Sequence, residues 1–234
     1  MCGRYVSSTN DQALFDLFEV RERIGEPAPP SWNVAPTDPV RVILDDPRAE
    51  GPAVRVLREV RWGLVPSWAK DVKVGARMIN ARVESVTEKP SFRSAAARRR
   101  CVVPADGYYE WQRDGGGKVP YYLHAPDESP LAFAGLYERW RDPAIPDDDP
   151  ARWVWTCTII TTRAADTVGH IHDRTPLILP RSMVDDWLDP GTTAKAEVQR
   201  LLDAVPEPHL VPRRVGAAVG SVRNDGPQLV APAG

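Results

Sequence analysis

The chain has 234 residues, with 30 Lys+Arg against 32 Asp+Glu, 42% hydrophobic residues and three cysteines. A chain this long buries a core without covalent staples, and no apolar run reaches the ~20 residues of a bilayer-spanning helix. Three cysteines without C-x-x-C spacing exclude a disulfide framework or a zinc cage of the usual kind, and the opening Met-Cys-Gly-Arg-Tyr lacks secretory-signal features, so the expectation is a cytoplasmic protein with no membrane partner.

In chain order, residues 3–6 read as a short strand, and the polar run Ser7 to Asp11 offers oxygens to cap a helix in which Leu14, Leu17 and Phe18 share one face. The proline-rich stretch 25–39 reads as loop. Strands are then expected over 40–44, 54–62, 100–105, 107–112, 119–124, 131–140 and 153–162, and Asp114-Gly-Gly-Gly117 reads as a hairpin turn. Helical patterns cover 81–89, 91–99, 182–188 and 193–205. Many strands with scattered helices predict an α+β fold with a curved or barrel-like antiparallel sheet. The expectation is one domain over 1–234, with 142–150 as a surface loop and a flexible tail from about 226.

Charge is uneven. Residues 51–113 carry ten Arg and three Lys against six acidic residues, a local balance of +7 on an otherwise acidic chain. Such a stretch suits an anionic partner at one face, or is simply a solvated surface.

Cys101 and Cys157 sit in apolar runs and read as small buried hydrophobes. Cys2 lies among polar residues at the terminus. Removal of Met1 would leave an α-amine titrating near ~7.7 to 8.0 beside a thiol near ~8.5. Together they form a 1,2-aminothiol, which reacts with an aldehyde to give first an imine and then a thiazolidine ring. Three other segments offer partners. Asn80-Ala-Arg82-Val-Glu84 reads on its own as a helix cap. Glu110 follows Tyr108 on one face of an aromatic strand, where burial would raise its pKa and suit it to acid–base work. His170-x-His172 has no third ligand cluster near it in sequence. Trp62 to Lys70 mixes indoles with cations, as single-stranded nucleic-acid binders do.

Taken together, Cys2-Gly-Arg-Tyr5, Asn33-Val-Ala-Pro-Thr37, Trp62-Gly-Leu-Val-Pro-Ser-Trp68, Asn80-Ala-Arg-Val-Glu84, Gly107-Tyr-Tyr-Glu-Trp111 and His172-Asp-Arg-Thr-Pro176 resemble, in order and over nearly the full chain, the SOS-response-associated peptidase (SRAP) family. Its members form covalent cross-links with abasic sites in DNA. The resemblance implies a β-rich fold with a groove for single-stranded DNA containing abasic sites, and a Cys2 thiazolidine with weak lyase activity as a side path. No cofactor or metal is implied. By the same matching, Asn80, Glu110 and His172 join Cys2 as catalytic residues, while Arg4, Asn33, Pro36, Trp68, Arg82, Thr161 and Arg174 line the DNA path. The family's aromatic pair stands here as Trp68-Ala69, and residues 72–77 look inserted. The implied setting is a monomer, cytoplasmic and nucleoid-associated when bound to DNA. Two other classes stay open: a thiol peptidase acting on its own terminus, and a non-catalytic binding module.

Overall fold

The computed structural model describes residues 2–47, 51–164 and 168–234. The strands in chain order are β1 (Tyr5–Ser7), β2 (Glu22–Ile24), β3 (Ser31–Val34), β4 (Pro39–Asp46), β5 (Val54–Trp62), β6 (Asn80–Arg82), β7 (Arg100–Ala105), β8 (Gly107–Asp114), β9 (Gly117–His124), β10 (Leu131–Arg141), β11 (Trp153–Arg163), β12 (Arg174–Pro176), β13 (Ile178–Leu179) and β14 (Val211–Arg214). The α-helices are α1 (Asp11–Phe18), α2 (Arg93–Arg98), α3 (Val184–Leu188) and α4 (Lys195–Asp203).

Strands β11, β10, β7, β4 and β5 follow one another by antiparallel pairing, and a parallel pairing of β5 with β11 closes them into a five-stranded barrel. The other strands of this sheet, β2, β6, β12 and β13, attach to barrel strands. A second sheet runs β14-β9-β8-β1-β3. Alternation along the barrel strands sends Val42, Val56, Cys101, Phe133 and Cys157 to one face, where they meet Cys2 and, from the second sheet, Tyr5, Tyr108 and Leu123. The opposite faces, with Ile43, Leu57, Val102 and Ile160, pack on the helices. The fold is therefore α+β with a closed barrel, and Cys101 and Cys157 are both wholly buried free thiols.

The two sheets are also joined by polar contacts. Arg41 on β4 is 6% exposed and donates to the Ser7 hydroxyl at 2.8 Å and the Thr9 carbonyl at 2.7 Å. Near the other end of β5, Gly63 (φ +128°) lies against Gly75, so a Cβ on Gly63 would sit 2.6 Å from the Gly75 carbonyl oxygen. That contact seats Val72–Arg77, which form a 3₁₀ turn.

Several expectations need correcting. Within the expected capping run it is Asn10 that caps α1, accepting from Ala13 N at 2.9 Å, whereas Leu17 is at the exposed edge of the face that Leu14 and Phe18 bury. The proline-rich stretch contains β3, because its edge is completed by β1. The helix expected over 81–89 is absent: β6 pairs in parallel with Ile159 to Thr161, and turns follow. The stretch from about 226, expected to be a loose tail, is held by Leu229, 3% exposed in a cluster with Val6 and Tyr109, and by a bridge from Pro232 to Val215.

Candidate functional site

Cys2 lies just ahead of β1, and its side chain is fully buried among Tyr5, Tyr108 and Trp62. The sequence placed this thiol among polar residues at the terminus, with ordinary acidity. Burial above all, and then the nearby Glu110 carboxylate, push its pKa far up instead. At neutral pH the group is a thiol.

Asn80 comes to Cys2 because β6 pairs with β11 inside the barrel sheet. Its Nδ2 donates to the Cys2 carbonyl at 2.8 Å. Its Oδ1 is buried and has no hydrogen-bond partner among the described residues. An orphaned acceptor beside a terminal Cys is a place waiting for a donor.

Glu110 reaches the same point from β8, which pairs with β1 through Tyr108 opposite Tyr5. It is 4% exposed. Burial raises its pKa, against the pull of positive charge at the amino terminus and at His172. A carboxyl whose proton is favoured in this way is suited to taking and returning protons.

His172 sits on a turn seated by the buried Val168 and Ile171. Its Nδ1 accepts the Arg174 backbone N–H at 3.0 Å, which assigns the proton of the neutral ring to Nε2. The exposed Asp173 carboxylate lies 3.1 Å from the same Nδ1 and pairs with it when the ring is charged. Among the described residues no cluster of His, Cys, Asp and Glu is suited to a metal ion.

The residues expected along the DNA path divide into two groups. Trp68 is 60% exposed, on a loop that Trp140 holds through its Nε1–H to the Ala69 carbonyl at 2.7 Å. Arg82 is also exposed and lines a cleft of about 690 Å³ with Lys89, Arg163 and Arg174. Arg4 and the half-buried Pro36 line a second hollow of about 560 Å³ that includes Gly3, Trp111 and Lys118. The sequence did not single out Lys89, Arg163 and Lys118, whose only signal was charge near a motif, and gave no role to Trp111, the last residue of the Gly107–Trp111 motif.

Asn33 and Thr161 lie beneath the surface instead, and Arg174, at the wall of the first cleft, is 9% exposed. Asn33 is 4% exposed; its Nδ2 donates to the carbonyls of Ser221 and Asn224 at 2.9 and 2.8 Å, and its Oδ1 accepts from Arg4 at 2.6 Å. Thr161 is fully buried. Arg174 is held in a fork by Glu84 at 2.5 and 3.1 Å and donates to the Thr161 carbonyl at 2.6 Å. Its charge is neutralised in place, and Glu84 is kept below the usual carboxylate range by the same bonds.

The basic stretch 51–113 does not form one face either. Arg55 pairs with Asp45 and Asp185, Arg58 lies 3.6 Å over the Trp155 ring, Arg99 pairs with Glu138, and Arg100 is buried. Charge in sequence spreads over the whole barrel because successive strands point it in different directions.

The family model for SOS response associated peptidase (SRAP) matches residues 1–222. The abasic site processing protein YoqW of Bacillus subtilis (strain 168) is 38% identical over 232 residues, covering 98% of this chain and 99% of its own. The abasic site processing protein HMCES of Gallus gallus is 32% identical over 268 residues, covering 99% of this chain and 78% of its own. A crystal structure of a Bacteroides thetaiotaomicron protein superposes with a TM-score of 0.81 at 25% identity, over 99% of this chain and all of that one.

Proposed function

This chain belongs to the SRAP family, and from that premise we propose that it processes abasic sites in single-stranded DNA by capturing them covalently through Cys2. The names of its relatives support the substrate class. The observation that carries the chemistry is the hydrogen bond from Asn80 to the Cys2 carbonyl, beside a buried carboxyl of raised pKa.

Loss of Met1 frees the Cys2 amine. Glu110 removes a proton from its ammonium, and His172, carrying its proton on Nε2, assists opening of the abasic sugar to the aldehyde. The amine adds to C1′, and Glu110 returns the proton to the departing hydroxyl, so one water leaves and an imine forms. The thiol then adds to the imine carbon. Its proton passes by way of Glu110 to the nitrogen, closing a thiazolidine with no redox change and no cofactor. Since burial keeps the sulfur protonated, proton removal accompanies ring closure. Asn80 holds the Cys2 backbone, and its free Oδ1 receives the new amine or a sugar hydroxyl. An imine that escapes closure undergoes β-elimination, which gives weak lyase activity.

The test is a denaturing gel without borohydride, using an oligonucleotide with one abasic site and protein whose Met1 is shown by mass to be gone. Wild type is expected to give a shifted band and Cys2→Ala none. A band of equal strength in Cys2→Ala refutes capture through Cys2. No band in either, with DNA binding intact, reduces the protein to a binding module.

A further inference from the structure

Glu110 and His172 arrive from β8 and from the turn before β12, which share no strand pairing among the described residues. Something other than a sheet ladder must set their separation. Side chains on one face of a strand recur every second residue, so Tyr108, Glu110 and Gln112 form a row. Both ends of that row are bonded to the His172 segment. The Tyr108 hydroxyl meets the Thr175 hydroxyl at 2.8 Å, and Gln112 Nε2 donates to the His170 carbonyl at 3.1 Å. Numbers on the turn fall as those on the strand rise, which brings Glu110 opposite the stretch that holds His172. The electrostatic coupling of the two agrees with this placement.

We propose that Tyr108 and Gln112 are positioning residues, two hydrogen bonds that clamp the His172 turn onto β8 on either side of Glu110 and so set the geometry of the acid–base pair. The inference rests on the proposed function for its consequence, though not for its geometry. Tyr108 is the stronger arm. It is 1% exposed and Thr175 3%, and its ring packs edge-on to Phe133 at 5.9 Å. Either hydroxyl can donate in the shared bond, and the Thr175 hydroxyl also lies 3.4 Å from the Pro176 carbonyl. Gln112 is half-buried and the weaker arm.

The decisive variant is Tyr108→Phe, which removes one oxygen and leaves the ring packing in place. The rate of adduct formation at saturating DNA is followed from pH 5 to 9. Loss of the clamp should slow the reaction by about tenfold to a hundredfold, the order expected when a reacting group is misplaced by an ångström or less, with DNA affinity unchanged. The groups facing Glu110 are Cys2, Tyr108, the amino-terminal charge and His172. With His172 displaced, less opposes the effect of burial, and the acid limb of the profile should move to higher pH. Gln112→Leu should act in the same direction more weakly. Thr175→Ser should keep the wild-type rate, Thr175→Val should match Tyr108→Phe, and the pair Tyr108→Phe/Thr175→Val should be no slower than either single change.

A wild-type rate and profile in Tyr108→Phe overturns the clamp. So does a uniform loss with the acid limb unmoved, which is the mark of mere destabilisation. A second readout needs no activity: in histidine-labelled protein, Tyr108→Phe should shift the ring-proton resonance of His172 and leave that of the exposed His209 in place. If wild type forms no adduct but this shift occurs, the clamp stands and the proposed function falls; if the His172 resonance does not move, the clamp falls.

Discussion

Glu110 is where the site opposes the fold. A carboxyl buried in this way favours its proton, so its pKa in the folded chain stands above the ordinary 4.5. The native state then holds a proton that the unfolded chain releases. The stability linked to this group is complete below pH 4.5 and is lost as pH rises through the folded value. Glu110→Gln keeps the shape and removes the ionisation. It should therefore raise the melting temperature at pH 7.5, by about 2–4 °C for each kcal/mol relieved in a chain of this size, with the gain vanishing near pH 4. Thermal scans at the two pH values check this, and an equal gain at both would mean that ionisation is not its source. The same substitution should slow adduct formation, so the residue would trade stability for chemistry.

At the scale of elements, Arg100 shows what holds the helices to the barrel. It opens β7 and is 4% exposed. Its guanidinium donates to the carbonyls of Ala96 and Ala97 at the end of α2, each at 3.0 Å, and to those of Trp187 and Asp189 around the end of α3, at 2.6 and 2.5 Å. One side chain thus satisfies the orphaned carbonyls of two helix ends. Arg100→Leu should cost about 2–5 kcal/mol in a urea melt, since it leaves buried acceptors unpaired, whereas the exposed Arg98→Ala should stay within about 0.5 kcal/mol. Nothing in the run Arg98-Arg99-Arg100 distinguishes these roles, which are set by where α2 ends and β7 begins: Arg98 closes the helix, Arg99 caps it and Arg100 opens the strand. The long barrel strands were legible, as in Val54–Trp62 and Arg100–Ala105, because each carries enough apolar residues to declare itself. Short strands such as β3, β6 and β12 exist only because a neighbour completes them, and local pattern does not carry that information. The same limit applied to the site. Cys2, Asn80, Glu110 and His172 could be named from motifs, whereas the burial of Cys2, the capture of Arg174 by Glu84 and the clamp from Tyr108 depend on partners 67 to 108 residues apart or unlinked by any spacing rule.

At the scale of the whole molecule, the two ends of the chain meet on the second sheet, on the side away from the barrel. Arg4, two residues after Cys2, donates to the carbonyls of Val219 and Gly220 at 3.0 and 3.2 Å, and Asn33 fixes both Arg4 and the carbonyls of Ser221 and Asn224. Trp32 N–H adds a bond to Asp225 at 2.6 Å, and Val219 and Leu229 bury themselves against Val6 and Tyr109. The C-terminal segment therefore acts as a clasp on the strand that delivers Cys2. Asn33→Ala removes the central link, leaving the Arg4 guanidinium without its side-chain acceptor and the carbonyls of Ser221 and Asn224 without their donor, a cost of about 1 kcal/mol. Its consequence should be regional as well as global. Trypsin should cut sooner at the exposed Arg223, well below the temperature of unfolding, because local opening needs less free energy than global unfolding. Adduct formation should slow together with it, since Arg4 then no longer ties the start of β1 in place. If cleavage at Arg223 quickens while the rate of capture is unchanged, the clasp serves the fold alone and the placement of Cys2 depends on Asn80 and the barrel core.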